Sequence, residues 1–183
     1  MRKLIGGTAL VAALVLAPSL LVAQGIRYGV GAGLLMPLGD YKTADKMGWV
    51  VDGDVTKWMT GGMLGIRVEA SYSQTKEKTG VTPHSTKVFG GGADLVYAFG
   101  ISAAQMRPYV LGGLGYYNVK VALTGGGSAS ESKVGFGVGA GVAFKMGAGS
   151  TRLFVEGKWT TVSTTGSSTS FIPIRVGLRF GAK

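Results

Sequence analysis

Residues 134–144 of the 183-residue chain read VGFGVGAGVAF. Val134, Phe136, Val138, Ala140, Val142 and Phe144 take every second position, with Gly135, Gly137, Gly139 and Gly141 between them. Strict period two is a strand with two unlike faces. In a soluble antiparallel sheet the second face would be polar, yet here it is almost bare backbone. Whatever surrounds this strand must accept an apolar face on one side and offer large side chains to the glycine face on the other.

Beyond residue 25 no stretch carries a helical period, and seven further alternating segments appear, separated by clusters of Gly, Ser, Thr, Asp and Lys. Over 26–36, Ile26, Tyr28, Val30, Ala32 and Leu34 oppose Arg27, Gly29, Gly31 and Gly33. Over 49–58, Trp49, Val51 and Val55 oppose Asp52, Asp54 and Thr56. From 64, Leu64, Ile66, Val68, Ala70 and Tyr72 oppose Arg67, Glu69, Ser71 and Ser73. From 89, Phe89, Ala93, Leu95, Tyr97 and Phe99 oppose Gly90, Gly92 and Asp94. The fifth segment, 108–121, is apolar on both faces; its reading puts Leu111, Tyr117 and Val119 on the apolar side and Asn118 and Lys120 opposite. The stretch 134–144 is the sixth. In the seventh, Leu153, Val155 and Trp159 oppose Arg152, Glu156, Lys158 and Thr160; in the eighth, Ile172, Ile174, Val176, Leu178 and Phe180 oppose Arg175, Gly177 and Arg179. Segments 39–48 and 74–86 read as polar loops.

A soluble sandwich would turn the charged faces to water. Such a face is normally rich in Lys, Glu and Thr, whereas this one carries runs of glycine with Arg and acidic residues. Every arginine from Arg27 onward falls in a predicted strand or at its edge, while the lysines mostly lie in loops. Forked guanidinium suits enclosed, multiply bonded ion pairs, and lysine suits solvent. The inverted arrangement fits better: apolar residues face lipid and a polar interior fills a closed barrel. The expected fold is therefore an all-β, eight-stranded antiparallel up-and-down transmembrane barrel, whose interior is just wide enough for side chains to fill. Its predicted lumen network is Arg27, Asp52, Asp54, Arg67, Glu69, Asp94, Glu156, Lys158, Arg175 and Arg179. Tyr28, Trp49, Tyr72, Tyr97, Phe99, Trp159 and Phe180 are expected in interfacial girdles. Pro173 is expected above the bilayer or at a bulge.

These strands resemble the small bacterial outer-membrane barrels of the OmpA transmembrane-domain and OmpX-like, or porin, family. The resemblance is carried by YGVGAGLLMPLGDY (28–41), RPYVLGGLGYY (107–117) and FIPIRVGLRF (171–180) and covers the whole chain after the leader. It implies an outer-membrane location in a Gram-negative-type bacterium. It also implies a final-strand signal for the barrel-assembly machinery, polar-x-Gly-x-x-aromatic, matched by Arg175, Gly177 and Phe180. The chain departs from that pattern by continuing through Gly181, Ala182 and Lys183.

The first residues, MRKLIGGTALVAALVLAPSLLVAQG, place two cations before an apolar run and Ala23 before Gln24. This is the order of a secretory signal peptide over 1–23, leaving 24–183 as one domain. An N-terminal membrane helix is the alternative, weakened by Gly6, Gly7 and Pro18. The formal charge is +10, and removing Arg2 and Lys3 leaves +8. With no cysteine there is no disulfide framework or thiol chemistry.

No catalytic, cofactor or metal site is expected. Gly135-x-Gly137-x-x-Ala140 matches a loose dinucleotide fingerprint, but the helix it requires would contain Gly139, Gly141, Gly147 and Gly149. The single histidine, His84, stands beside Ser85 in a segment read as a solvated loop, without an orienting partner. Lys42, Lys46, Lys76, Lys78 and Lys87 near loop ends make lipopolysaccharide phosphate a candidate partner. Nucleic acid is not expected for an exported barrel, and the protein is expected to be a monomer among outer-membrane lipids. The expected role is structural or surface-interacting. A narrow channel for small solutes is the alternative, and a lipid-modifying barrel enzyme the third reading.

Overall fold

The computed structural model describes residues 25–79, 84–123, 126–164 and 167–181; the expected signal peptide lies outside them. The strands are β1 (Ile26–Leu38), β2 (Gly48–Trp58), β3 (Leu64–Lys76), β4 (His84–Ala98), β5 (Met106–Leu123), β6 (Ser128–Lys145), β7 (Arg152–Thr164) and β8 (Ser167–Gly181). A short helix, α1 (Gly39–Ala44), follows β1. Each strand pairs antiparallel with the next, and β8 returns to β1, so the sheet closes as an eight-stranded up-and-down barrel. One end carries both described termini and the turns 59–63, 99–105 and 146–151. Gly61 and Gly62, at φ 88° and 68°, supply the left-handed backbone that the first of these turns needs. The other end carries α1.

The alternation read from the sequence sets the two faces. Val68, Leu95, Leu114 and Val138 are 55–65 % exposed on the outside. An apolar exterior of this extent is suited to hydrocarbon rather than water. Two aromatic levels bound it. Near the α1 end run Trp49 and Tyr72 (ring centroids 5.5 Å apart), Phe89, Tyr116, and the edge-on pair Phe136 and Trp159, also 5.5 Å apart. Near the termini end stand Tyr28 beside Phe180, Phe144, and the pair Tyr97 and Phe99. Eight positions separate Phe89 from Tyr97 and Phe136 from Phe144. That is about 26 Å along a strand, or roughly 20 Å across a membrane at a tilt of ~40°.

The glycine faces answer the question posed by 134–144. A Cβ at Gly115 would lie 2.8 Å from the Tyr117 ring and one at Gly135 3.1 Å from it, while Gly90 presses on the same ring. Glycine on three neighbouring strands thus lets one tyrosine lie flat against the wall.

Four expectations are corrected. In β5, Tyr109, Leu111 and Tyr117 are buried inside, whereas Val110, Leu114 and Tyr116 face out, so the face assignment reverses. Period two cannot choose between two apolar faces, but Arg107 shares its phase with Tyr109 and Leu111. Segment 74–86 is not one loop: β3 runs to Lys76 and β4 starts at His84. His84 is 8 % exposed, because polar strand positions above the aromatic level face a polar interior. Pro173 makes no bulge. It sits opposite Leu35 of β1, and the ladder to β7 lapses between the Gly157–Ile174 and Thr160–Phe171 pairs, where proline has no N–H to give.

Candidate functional site

The interior is stacked in three layers. Towards the α1 end, Leu35, Tyr41, Val88, Tyr117, Val162 and Phe171 form an apolar cluster. Towards the termini, Val96, Ala98, Tyr109, Leu111, Ala143 and Phe154 form another, with Trp58 against it. Between them lies one connected ionic network.

Glu156 of β7 is its hub. It accepts from Arg67 Nη1 at 2.7 Å, Tyr109 Oη at 2.7 Å, Arg179 Nη2 at 3.1 Å and Arg175 Nη2. Arg175 also reaches Glu69, at 3.3 Å, and Asp52, at 3.2 Å. Lys158 Nζ bridges Glu69 (2.6 Å) and Asp94 (2.8 Å). Arg179 Nε donates to Asp54 at 3.2 Å, and Arg67 lies 3.7 Å from the other Asp54 oxygen. Five carboxylates and four cations are therefore joined, with side chains 8 % exposed or less. The strands explain the reach. β7 and β8, which carry Glu156, Lys158, Arg175 and Arg179, are flanked by β6 and β1, whose inner faces at this level are glycine. Long side chains can then extend towards the acids of β2, β3 and β4.

Nine of the ten residues assigned to the lumen from sequence meet in this network. Arg27 does not; it lies on the inner face near the termini. Tyr109, which joins Glu156 to Arg179, and Phe154, whose ring lies 4.0 Å from the Arg179 guanidinium carbon, were not assigned there. Of the assembly-signal residues, Arg175 belongs to the network, Gly177 packs on Phe154, and Phe180 sits beside Tyr28.

A second polar cluster lies under α1. Asp45, 3 % exposed, accepts from Thr75 Oγ1 at 2.6 Å and Thr86 Oγ1 at 3.3 Å, and pairs with His84 Nε2 at 3.1 Å. Tyr41 Oη lies 2.8 Å from Thr75 Oγ1. Burial raises the Tyr41 hydroxyl pKa, which keeps it a neutral hydrogen-bonding group. Main-chain bonds Lys46 N→Lys76 O and Lys78 N→Ala44 O, both 2.8 Å, tie the segment after α1 to β3. Asp45 thus stands between His84 and the two threonines. These bonds anchor a loop; they do not aim a hydroxyl at an imidazole base, as nucleophilic catalysis requires. The lysines considered for phosphate contact all lie at this end, with Lys42, Lys46 and Lys76 exposed.

A closed barrel with an apolar outer belt and an ion-filled lumen is the architecture of a small membrane-spanning β-barrel. The family profile of the outer membrane protein beta-barrel domain matches residues 8–180, and the chain belongs to that family. Among solved structures it is similar to Neisserial surface protein A, at 16% identity over 86% of this chain and 97% of that one, with a TM-score of 0.68. It is also similar to a major outer membrane protein of Thermus thermophilus, at 12% identity over 85% and 98%, with a TM-score of 0.59. Ail, the attachment invasion locus protein of Yersinia pestis, matches at 18% identity over 86% and 100%, with a TM-score of 0.53. No curated protein sequence matches.

Proposed function

We propose that the protein is a non-catalytic surface barrel of the outer membrane, with a lumen that does not conduct and loops at the α1 end that make its contacts. The observation that carries this reading is the three-layer filling of the lumen. Any solute path would have to pass two apolar clusters and a network in which nearly every charge is paired. The enclosed cavity beside that network, lined by Glu69, Lys158, Tyr117 and Phe171 among others, is about 20 Å³. That is room for about one water.

In this reading the signal peptide is removed near Ala23, the short turns and termini face the periplasm, and the α1 end faces outwards. Lys42, Lys46, Lys76, Lys78 and Lys87 then meet lipopolysaccharide phosphates by charge complementarity. The mature chain acts as a monomer, delivered by the barrel-assembly machinery through the β8 pattern of Arg175, Gly177 and Phe180. Planar-bilayer recording of the refolded protein tests the central claim. The expected trace has no stable steps, and regular, long-lived conductance steps would replace this reading with a narrow solute channel.

A further inference from the structure

We propose that the mouth at the termini end is an oxyanion site, in which Arg27, Arg107 and Arg152 hold a phosphate-type group. The three arginines come from β1, β5 and β7, in inward phase at the termini end of their strands, and the turns that Arg107 and Arg152 hold adjoin where a Cβ at Gly62 would lie 3.7 Å from Ser102. None of the nine Asp and Glu residues of the chain lies at this end. The turns 59–63, 99–105 and 146–151 contain no charged residue at all. The nearest lumen carboxylates, Asp54 and Glu156, are taken by Arg67, Arg175 and Arg179.

The partners these arginines do have are carbonyl oxygens. Arg152 Nη2 donates to Ser102 O at 2.6 Å and Ala104 O at 2.9 Å. Arg107 Nη2 donates to Gly62 O, and its guanidinium lies 4.7 Å from the Trp58 ring centroid. Such bonds pin two turns across the mouth, but a carbonyl dipole does not neutralise a cation. Arg107 is 4 % exposed and keeps its Nε buried without a partner. Arg27 forms no ion pair among the described residues. Buried charge is ordinarily paired, and guanidinium forks match the oxygens of a phosphate. Exposed Met59, Met63, Ile101 and Met146 surround the mouth and set it at headgroup depth. The phosphate could thus come from a lipid headgroup or from solution. The site rests on the barrel alone and not on the contact role proposed for the other end.

The test uses the full chain refolded in zwitterionic micelles, titrated with inorganic phosphate against chloride of equal ionic strength. A parallel arm uses phosphatidylglycerol vesicles against phosphatidylcholine vesicles. Phosphate, phosphatidylglycerol or both are expected to raise the unfolding midpoint above the matched control. The apparent affinity should fall about ten-fold in Arg27→Gln, the loss of one charged hydrogen-bonding partner. A response to phosphate assigns the free anion, and a response confined to phosphatidylglycerol assigns the headgroup. If Arg27→Gln does not refold, Arg107→Gln is read in the same two arms. No response beyond the controls, or a response unchanged in the variant, overturns the proposal.

Discussion

Glu156 accepts from three arginines and a tyrosine, so its charge holds β3, β5 and β8 to β7. Asp52 has Arg175 as its ion-pair partner and leaves Oδ1 without a hydrogen bond. Glu156→Gln should therefore cost about 3–5 kcal/mol, the usual loss when one member of a buried ion cluster is removed. Asp52→Asn should cost less than half as much. Urea unfolding of both variants in lipid vesicles checks this, and equal losses would deny Glu156 its place as hub. The charged residues were legible because alternation marks them as sharing the face opposite the apolar one. Tyr109 and Phe154 were not, because an inward aromatic in a narrow barrel has no polar signature. The place of His84 is hidden for a related reason: its partner Asp45 is 39 residues away in another segment, and no local pattern joins them.

At the scale of a strand, glycine has two meanings that the sequence spells alike. A Cβ at Gly139, on the inner face of β6, would lie 2.6 Å from Gly157 O and 2.9 Å from Lys158 Cα. A Cβ at Gly157, on the outer face of β7, would meet nothing within 4 Å. Gly139→Ala should thus lower stability by about 1–3 kcal/mol, as overpacking does, while Gly157→Ala should be neutral or mildly stabilising. Urea midpoints of the two variants decide the matter; a harmless Gly139→Ala would mean that the wall yields more than its packing indicates. The same backbone contacts show that inner glycines do more than leave room for long side chains: at Gly139 even serine would press on the neighbouring strand. Seven strands declared their faces through alternation with charge or glycine. The fifth did not, because what turns Tyr117 inward is the glycine of Gly90 and Gly135 on its two neighbours, and strand register is not written in local sequence.

For the whole molecule, the exposed belt between the aromatic levels predicts a solvent requirement. The protein without its leader should refold cooperatively in detergent or lipid and aggregate in plain buffer. Circular dichroism and sedimentation in both media test this; a folded monomer in detergent-free buffer would reject the membrane reading outright. Closure has a further consequence, one of timing. β1 meets its second neighbour only when β8 has been made, and the ion pair of Arg179 with Asp54 joins residues 125 positions apart. That of Arg175 with Glu69 spans 106, and that of Arg67 with Glu156 spans 89. Until the last strand arrives, Arg175 and Arg179 are absent, Asp52 has no ion-pair partner, and five carboxylates share only Arg67 and Lys158, so three of their charges go unbalanced and must stay hydrated. A partly built sheet would have to carry them bare into hydrocarbon. Membrane entry is therefore coupled to the arrival of β8, and its decisive step is the meeting of the first strand with the eighth.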